Sequence, residues 1–264
     1  EGSTGVQGAL LRAATWIPCR LADTTLAVSN SVRDQVSRDG LGEPECIRVL
    51  GAGTGNGIDL VRFVPEKCAA GSATREKYRI ALDAVVFGFV GRMTRDKGLE
   101  ELSRAFKAVH EEFPQAVLLI VGEYEERDRP SEEAIAFIAE HCGVRHVGWQ
   151  GDVVPFMAAM NVFVLPTYRE GFPTVLLEAA ALGIPSVTTN ATGARDAVID
   201  GITGLRVPIG DVAALRDALT RLIRDPSLRE AMGRAGREWV CKNFSQKDVW
   251  QRQVEEYRRL VLAR

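Results

Sequence analysis

From about residue 85 the chain alternates short apolar runs with segments whose apolar residues recur at helical spacing. "VVFGFVG" (85–91) and "AVLLIVG" (116–122) are apolar at successive positions, the pattern of strands covered on both faces. Between them, "GLEELSRAFKAVHEEFP" (98–114) places Leu99, Leu102, Phe106 and Val109 on one helical stripe. The alternation continues with a helix at 131–143 capped by Ser131, a strand at 144–151 and a short helix at 152–160. A strand at 161–167, a helix starting near Thr174 and a strand at 185–189 follow. Strands alternating with helices require right-handed crossovers. The expected fold is therefore α/β, a Rossmann-like parallel sheet with helices on both faces.

The flanks read differently. Residues 211–223, 226–241 and 246–262 form three helical patterns. Residues 5–22, 24–29, 30–40 and 47–50 read as helix, strand, capped helix and strand, too little chain for a core of their own. "GAGTGNGID" (51–59) breaks every periodicity and marks a hinge. The expected division is 1–57, 58–245 and 246–264.

The net charge of −2 comes from 33 basic and 35 acidic side chains, which leaves no basic footprint for nucleic acid. An anionic ligand would have to be held by local charge. The five cysteines include no CxxC pair, and the three histidines are not read as a cluster with them. Neither a metal site nor a disulfide framework is expected, and a reducing cytoplasm is. No apolar run reaches the ~18 residues of a membrane span, and no signal peptide is seen. The chain begins at Glu1 rather than Met, so a fragment or processed chain is expected.

Candidate chemistry gathers in "YREGFPTVLLEAAALGIP". In an open α/β sheet, ligands bind beyond the carboxyl ends of the strands. The loop 168–173 lies on that edge, and Pro173 and Thr174 open a helix whose free N–H groups suit phosphate. Glu170 precedes the helix and Glu178 lies about one turn inside it, where a carboxylate can accept from vicinal sugar hydroxyls. "GFVGRMTRDKGLEEL" (88–102) is a second strand, turn and helix, with Arg92 and Lys97 in the turn. Two cations and two helix starts can neutralise a diphosphate without a metal, and neither loop has an acidic cluster suited to Mg²⁺. Arg95 and Asp96 read as solvated turn charges, and Arg195 and Asp196 as a helix-start pair. The histidines and the four tryptophans read as structural.

These motifs resemble the family 4 retaining glycosyltransferases. "EGFPTVLLEAAALGIPSVTTNATGARDAVIDGITGLRVP" is similar to their Glu-x7-Glu region, "GFVGRMTRDKGLEEL" to their diphosphate-binding turn and "GNGIDLVRF" to their interdomain hinge. Asp196 stands where the family often has Glu. The resemblance implies the GT-B fold, with two Rossmann-like domains around a cleft. Residues 1–57 would be the last part of an acceptor-binding domain with the hinge, and 58–245 the donor-binding domain. Residues 246–264 would be a helix crossing back.

It further implies a retaining glycosyltransferase of the hexosyl type, which moves a sugar from a nucleotide-sugar donor, UDP-linked, to a glycan or lipid-linked acceptor in surface polysaccharide synthesis. Glu170, Arg92 and Lys97 would be catalytic. Glu178, Gly171, Phe172, Pro173, Thr174, Val175 and Gly91 would bind the donor, with no metal and no cofactor. The expected place is the cytoplasm, peripheral to the inner face of the membrane, with self-association through the incomplete amino-terminal part. The alternatives are a truncated, non-catalytic nucleotide-sugar-binding module and a nucleotide-sugar 2-epimerase.

Overall fold

The computed structural model describes residues 6–65 and 68–262. Helix α1 (Val6–Leu21) leads into β1 (Thr25–Ala27), α2 (Asn30–Arg38) and β2 (Ile47–Val49), with β1 and β2 paired in parallel. Ser29 caps α2, its hydroxyl accepting from Val32 N–H at 3.2 Å. After the glycine-rich stretch come α3 (Cys68–Lys77), β3 (Val86–Val90), α4 (Leu99–Glu112) and β4 (Val117–Val121). Next are α5 (Glu132–Glu140), β5 (Val144–His146), α6 (Val154–Met157), β6 (Val162–Leu165), α7 (Thr174–Ala181) and β7 (Ser186–Thr189). The chain ends with β8 (Gly204–Val207), α8 (Val212–Arg224), α9 (Pro226–Asn243) and α10 (Gln246–Leu262).

Strands β3 to β8 form one parallel sheet in the order β5-β4-β3-β6-β7-β8. The chain winds outward from β3 through β4 to β5, then returns to lay β6 on the other side of β3. That reversal puts the switch point between β3 and β6, where the loops leaving two adjacent strands diverge and open a crevice. Every residue of β3, β4, β6 and β7 is buried, as a sheet covered on both faces requires. The stripe expected on α4 is the one that packs: Leu99, Leu102, Phe106 and Val109 are fully buried, and Phe106 meets Phe87 of β3 edge-on at 6.4 Å. Ser131 caps α5 as expected, accepting from Ala134 N–H at 3.3 Å.

Two elements lie outside the sequence reading. The segment of α3, "CAAGSATREK", carries no stripe of large apolar residues, and β8, "GLRV", is short and interrupted by Arg206. Helix α10 runs back along the amino-terminal part. Ile58 and Phe244 pair through Ile58 N–H to Phe244 C=O at 2.7 Å. The Arg48 guanidinium meets Glu256 of α10 at 2.7 Å, and Gln253 donates to Gly55 C=O at 2.5 Å. No helix among the described residues is long and apolar enough to cross a membrane. Trp16, Ile17 and Leu21 of α1 are exposed, as are Leu26 and Val28 at β1.

Candidate active site

The turn after β3 is pressed against the loop after β6. Thr94 is buried and donates to Asp96 Oδ1 at 2.6 Å. The Asp96 carbonyl accepts from Tyr168 N–H at 2.8 Å and from the Thr167 hydroxyl at 3.0 Å. Arg169 donates to Asp96 Oδ2 at 3.2 Å. Burial would raise the Asp96 carboxyl. The hydrogen bonds from Thr94 and Arg169 and the charges of Lys97 and Arg169 outweigh it and hold the carboxyl below the usual range. Asp96 is therefore a bridge between the two loops and not the solvated turn charge expected from sequence. Gly98 completes the joint. Its φ is +72°, and a Cβ there would lie 2.1 Å from the Pro166 carbonyl oxygen.

This joint brings Lys97 and Glu170 together. Lys97 Nζ donates to Glu170 Oε1 at 2.6 Å, and each side chain is only 16% exposed. Behind Glu170, its N–H donates to Thr192 C=O at 3.0 Å, and Gly193 fits beneath because a Cβ there would meet the Glu170 carbonyl at 2.4 Å. Arg92 takes a different place. It is 73% exposed and pairs with Glu125, in the loop after β4, at 2.5 Å. A surface pair of this kind contributes about 0–1 kcal/mol, so Arg92 is easily drawn to a stronger anion. No hydrogen bond or ion pair among the described residues joins Arg92 or Glu178 to the Lys97–Glu170 pair.

Helix α7 starts without a side-chain cap and without an acidic residue in its first turn. Its amino end therefore offers unsatisfied N–H groups and the positive end of its dipole. Pro173 is buried at the cap position, and Thr174 and Val175 are half-buried. Phe172 does not present its ring to a ligand. The ring packs on Phe244 at 5.6 Å, which leaves the backbone as its contribution. Gly91 closes β3, its N–H donating to Val121 C=O at 3.0 Å.

Glu178 is half-buried, and no hydrogen bond from a described residue reaches its carboxylate. Burial pushes its carboxyl above the usual range, and the Arg62 charge only partly offsets this. The folded chain then holds this proton more tightly than the unfolded one. Stability contributed by Glu178 is present below its unfolded value and falls as pH rises through the raised folded value. Glu178→Gln is therefore expected to be more stable than the parent at pH 8, with the difference closing towards pH 4. Urea denaturation at both pH values measures it.

Sequence reasoning missed the side chains of the amino-terminal part that touch this site. Ser29 donates to Gly171 C=O at 3.2 Å. The Ser31 N–H donates to Asp196 Oδ2 at 3.1 Å, and its hydroxyl also donates to that oxygen. Gly193 N–H donates to the Ser31 hydroxyl at 2.7 Å. Asp196, read from the sequence as half of a helix-start pair, thus accepts hydrogen bonds from Ser31 at the start of α2. A capped helix over 30–40 was read from the sequence, but Ser29 was placed in the preceding strand, and the partners of Ser29 and Ser31, 142 to 165 residues away, were not visible. A second correction concerns the histidines. His110 meets the adjacent pair His141 and Cys142, about thirty residues further on, so that their ligand atoms lie within 4.8 Å of one another.

Over 231 residues the chain is 37% identical to a capsular polysaccharide biosynthesis glycosyltransferase, CapM, of Staphylococcus aureus, covering 87% of this chain and 60% of that protein. It is 32% identical to a lipopolysaccharide core biosynthesis glycosyltransferase, LpsE, of Rhizobium meliloti, covering 87% and 62%. The chain thus spans about three fifths of the length of these relatives. HepE from Anabaena, solved in complex with UDP-glucose, has the same fold, with a TM-score of 0.83 and 23% identity over 94% of this chain and 67% of that one. The carboxyl-terminal domain of a group 1 glycosyl transferase, LpcC, from Francisella tularensis superposes with a TM-score of 0.62 and 22% identity, over 70% of this chain and 97% of that one. Residues 72–239 match the family model of the glycosyl transferases group 1, and the chain belongs to that family.

Proposed function

We propose that the crevice between β3 and β6 binds a nucleotide-sugar donor, UDP-linked, and that the protein transfers the sugar with retention to a glycan or lipid-linked acceptor of a surface polysaccharide. The observation that carries this reading is the Lys97–Glu170 pair, set beside an uncapped helix start at the switch point of the sheet. In this reading Lys97 and Arg92 take the diphosphate, together with N–H groups of α7. As the glycosidic bond breaks, charge grows on the departing phosphate, and these groups stabilise it where it appears. Glu170, released from Lys97, turns to the hydroxyls of the transferred sugar. Glu178 accepts from the ribose hydroxyls. That contact favours its ionised form, so nucleotide affinity is expected to fall as pH drops through the carboxyl's raised value.

Residues 58–245 are read as the donor-binding domain, 1–57 as the end of an acceptor-binding domain, and 246–264 as the helix that returns to it. The superposition on a carboxyl-terminal domain supports that division, and so do the bonds of α10 to Arg48 and Gly55. The exposed Trp16, Ile17 and Leu21 are read as surface that the rest of that domain covers. In this chain alone they favour self-association, at the inner face of the membrane in the cytoplasm.

Calorimetry with UDP, GDP and ADP in metal-free buffer tests the donor site. One-to-one binding of UDP, tighter than that of GDP or ADP, is expected. A folded chain that binds none of the three overturns the reading. Release of UDP from a UDP-sugar separates transfer from binding alone.

A further inference from the structure

We propose that His110, His141 and Cys142 form a binding site for a thiophilic divalent cation, Zn²⁺, at the edge of the sheet opposite the donor crevice. The site stands on a convergence that the donor chemistry does not require, of two histidines that also pack on Phe106 and Phe137. His110 lies in the last turn of α4, His141 is the cap residue that ends α5, and Cys142 follows it on the way into β5. Their ligand atoms all lie within 4.8 Å of one another. One imidazole is already oriented. Nδ1 of His110 is 3.0 Å from the Ala116 carbonyl, which can only accept, so Nδ1 carries the proton and Nε2 keeps its lone pair. That fixing of tautomer and ring by a backbone carbonyl is the outer-shell arrangement of metal-bound histidines. That Nε2 accepts from the Cys142 thiol at 3.6 Å, a contact that a metal would take over once the thiol is deprotonated. Nitrogen and sulfur ligands about 2.0 and 2.3 Å from a shared tetrahedral Zn²⁺ stand about that far apart.

The surroundings suit a cation. Two helices, α4 and α5, point their carboxyl ends at this corner, and the negative ends of their dipoles favour positive charge there. Lys107 and Glu111 bring one charge of each sign to it. Cys142 is exposed, so solvent can complete the coordination. On binding, the Cys142 thiol loses its proton to solvent and the thiolate takes the metal. The cost falls on His141, whose Nδ1 now accepts from Gly143 N–H at 3.2 Å. A cation at Nε2 moves the ring proton to Nδ1, and a cation at Nδ1 takes the lone pair that Gly143 uses. In either case Gly143 N–H loses its acceptor. Helix α4 runs from the donor turn to this corner, a length of about 21 Å at 1.5 Å per residue. The metal would therefore tie α4 to α5 without touching the donor.

The test uses the chain stripped of metal by a chelator and kept reduced with a phosphine. It is titrated with Zn²⁺ alone, with Co²⁺ alone as a spectroscopic substitute. One equivalent of Zn²⁺ is expected to bind, with a thiolate-to-cobalt absorption band and a shifted Gly143 amide resonance. Cys142→Ser, a change at an exposed position, is expected to remove the band and weaken Zn²⁺ by about tenfold or more, and His141→Gln is expected to weaken it similarly. Absence of stoichiometric binding, full Zn²⁺ affinity in Cys142→Ser, or an unmoved Gly143 amide overturns the proposal.

Discussion

Lys97→Ala is expected to weaken UDP binding by about tenfold to a hundredfold, the loss of one charge-assisted hydrogen bond worth about 1.5–3 kcal/mol. In donor turnover the loss is expected to reach about a hundredfold to a thousandfold, because the cation acts where charge develops. The same change leaves Glu170 largely buried without its 2.6 Å partner. A drop in thermal stability should accompany the loss of affinity. Glu170→Gln separates the two effects. It also breaks the ion pair, but it frees Lys97 for phosphate, so affinity for UDP, which carries no sugar, is expected to hold or rise. Calorimetry on both variants, each checked by circular dichroism, gives the comparison. Equal UDP affinity in Lys97→Ala and the parent would remove Lys97 from the diphosphate site.

The second large effect is structural. Gly98→Ala meets two obstacles at once. The left-handed conformation at φ +72° costs an L-residue about 1–2 kcal/mol, and the new Cβ sits 2.1 Å from the Pro166 carbonyl oxygen. That neighbour is backbone at the end of β6, so it cannot swing aside as a side chain would. A total loss of about 2–4 kcal/mol is expected from urea denaturation. UDP affinity should fall as well, because Lys97 and Asp96 sit on the displaced turn. Gly183→Ala is the control. Its φ is +76°, but a Cβ there meets nothing within 4 Å, so only the conformational cost of about 1 kcal/mol should appear. If the two variants lose equal stability, the close approach of the two loops is not what holds the turn.

Much of this architecture was legible in the hydrophobic pattern because parallel strands buried on both faces leave unmistakable apolar runs, as at 86–90 and 117–121. The stripe of α4 was legible for the same reason. Helix α3 was not, since a segment of alanines and polar residues gives a periodicity count little to work with. In the site, Arg92, Lys97 and Glu170 could be singled out because they lie in loops that follow strands on the ligand-binding edge, and Glu178 because it lies about a turn inside the helix that starts there. Their pairing could not be read. That Lys97 chooses Glu170 while Arg92 chooses Glu125 depends on how two loops meet across the switch point. Asp96 looked solvated because its partners, Thr167, Tyr168 and Arg169, lie over seventy residues away. The roles of Ser29, Ser31 and Asp196 escaped for the same reason. The histidine and cysteine cluster escaped because His110 and Cys142 are brought together only when α4 and α5 pack side by side.

The account turns on one arrangement, in which a single nucleotide diphosphate is gripped by Lys97, by the start of α7 and by Glu178. The most direct test is a crystal structure of the chain with UDP bound. The expected result places phosphate oxygens within hydrogen-bond distance of Lys97 Nζ and of the Thr174 or Val175 N–H, with both ribose hydroxyls on the Glu178 carboxylate. A nucleotide found in another crevice, or seated here with its ribose away from Glu178 and its phosphates away from Lys97, would contradict the account.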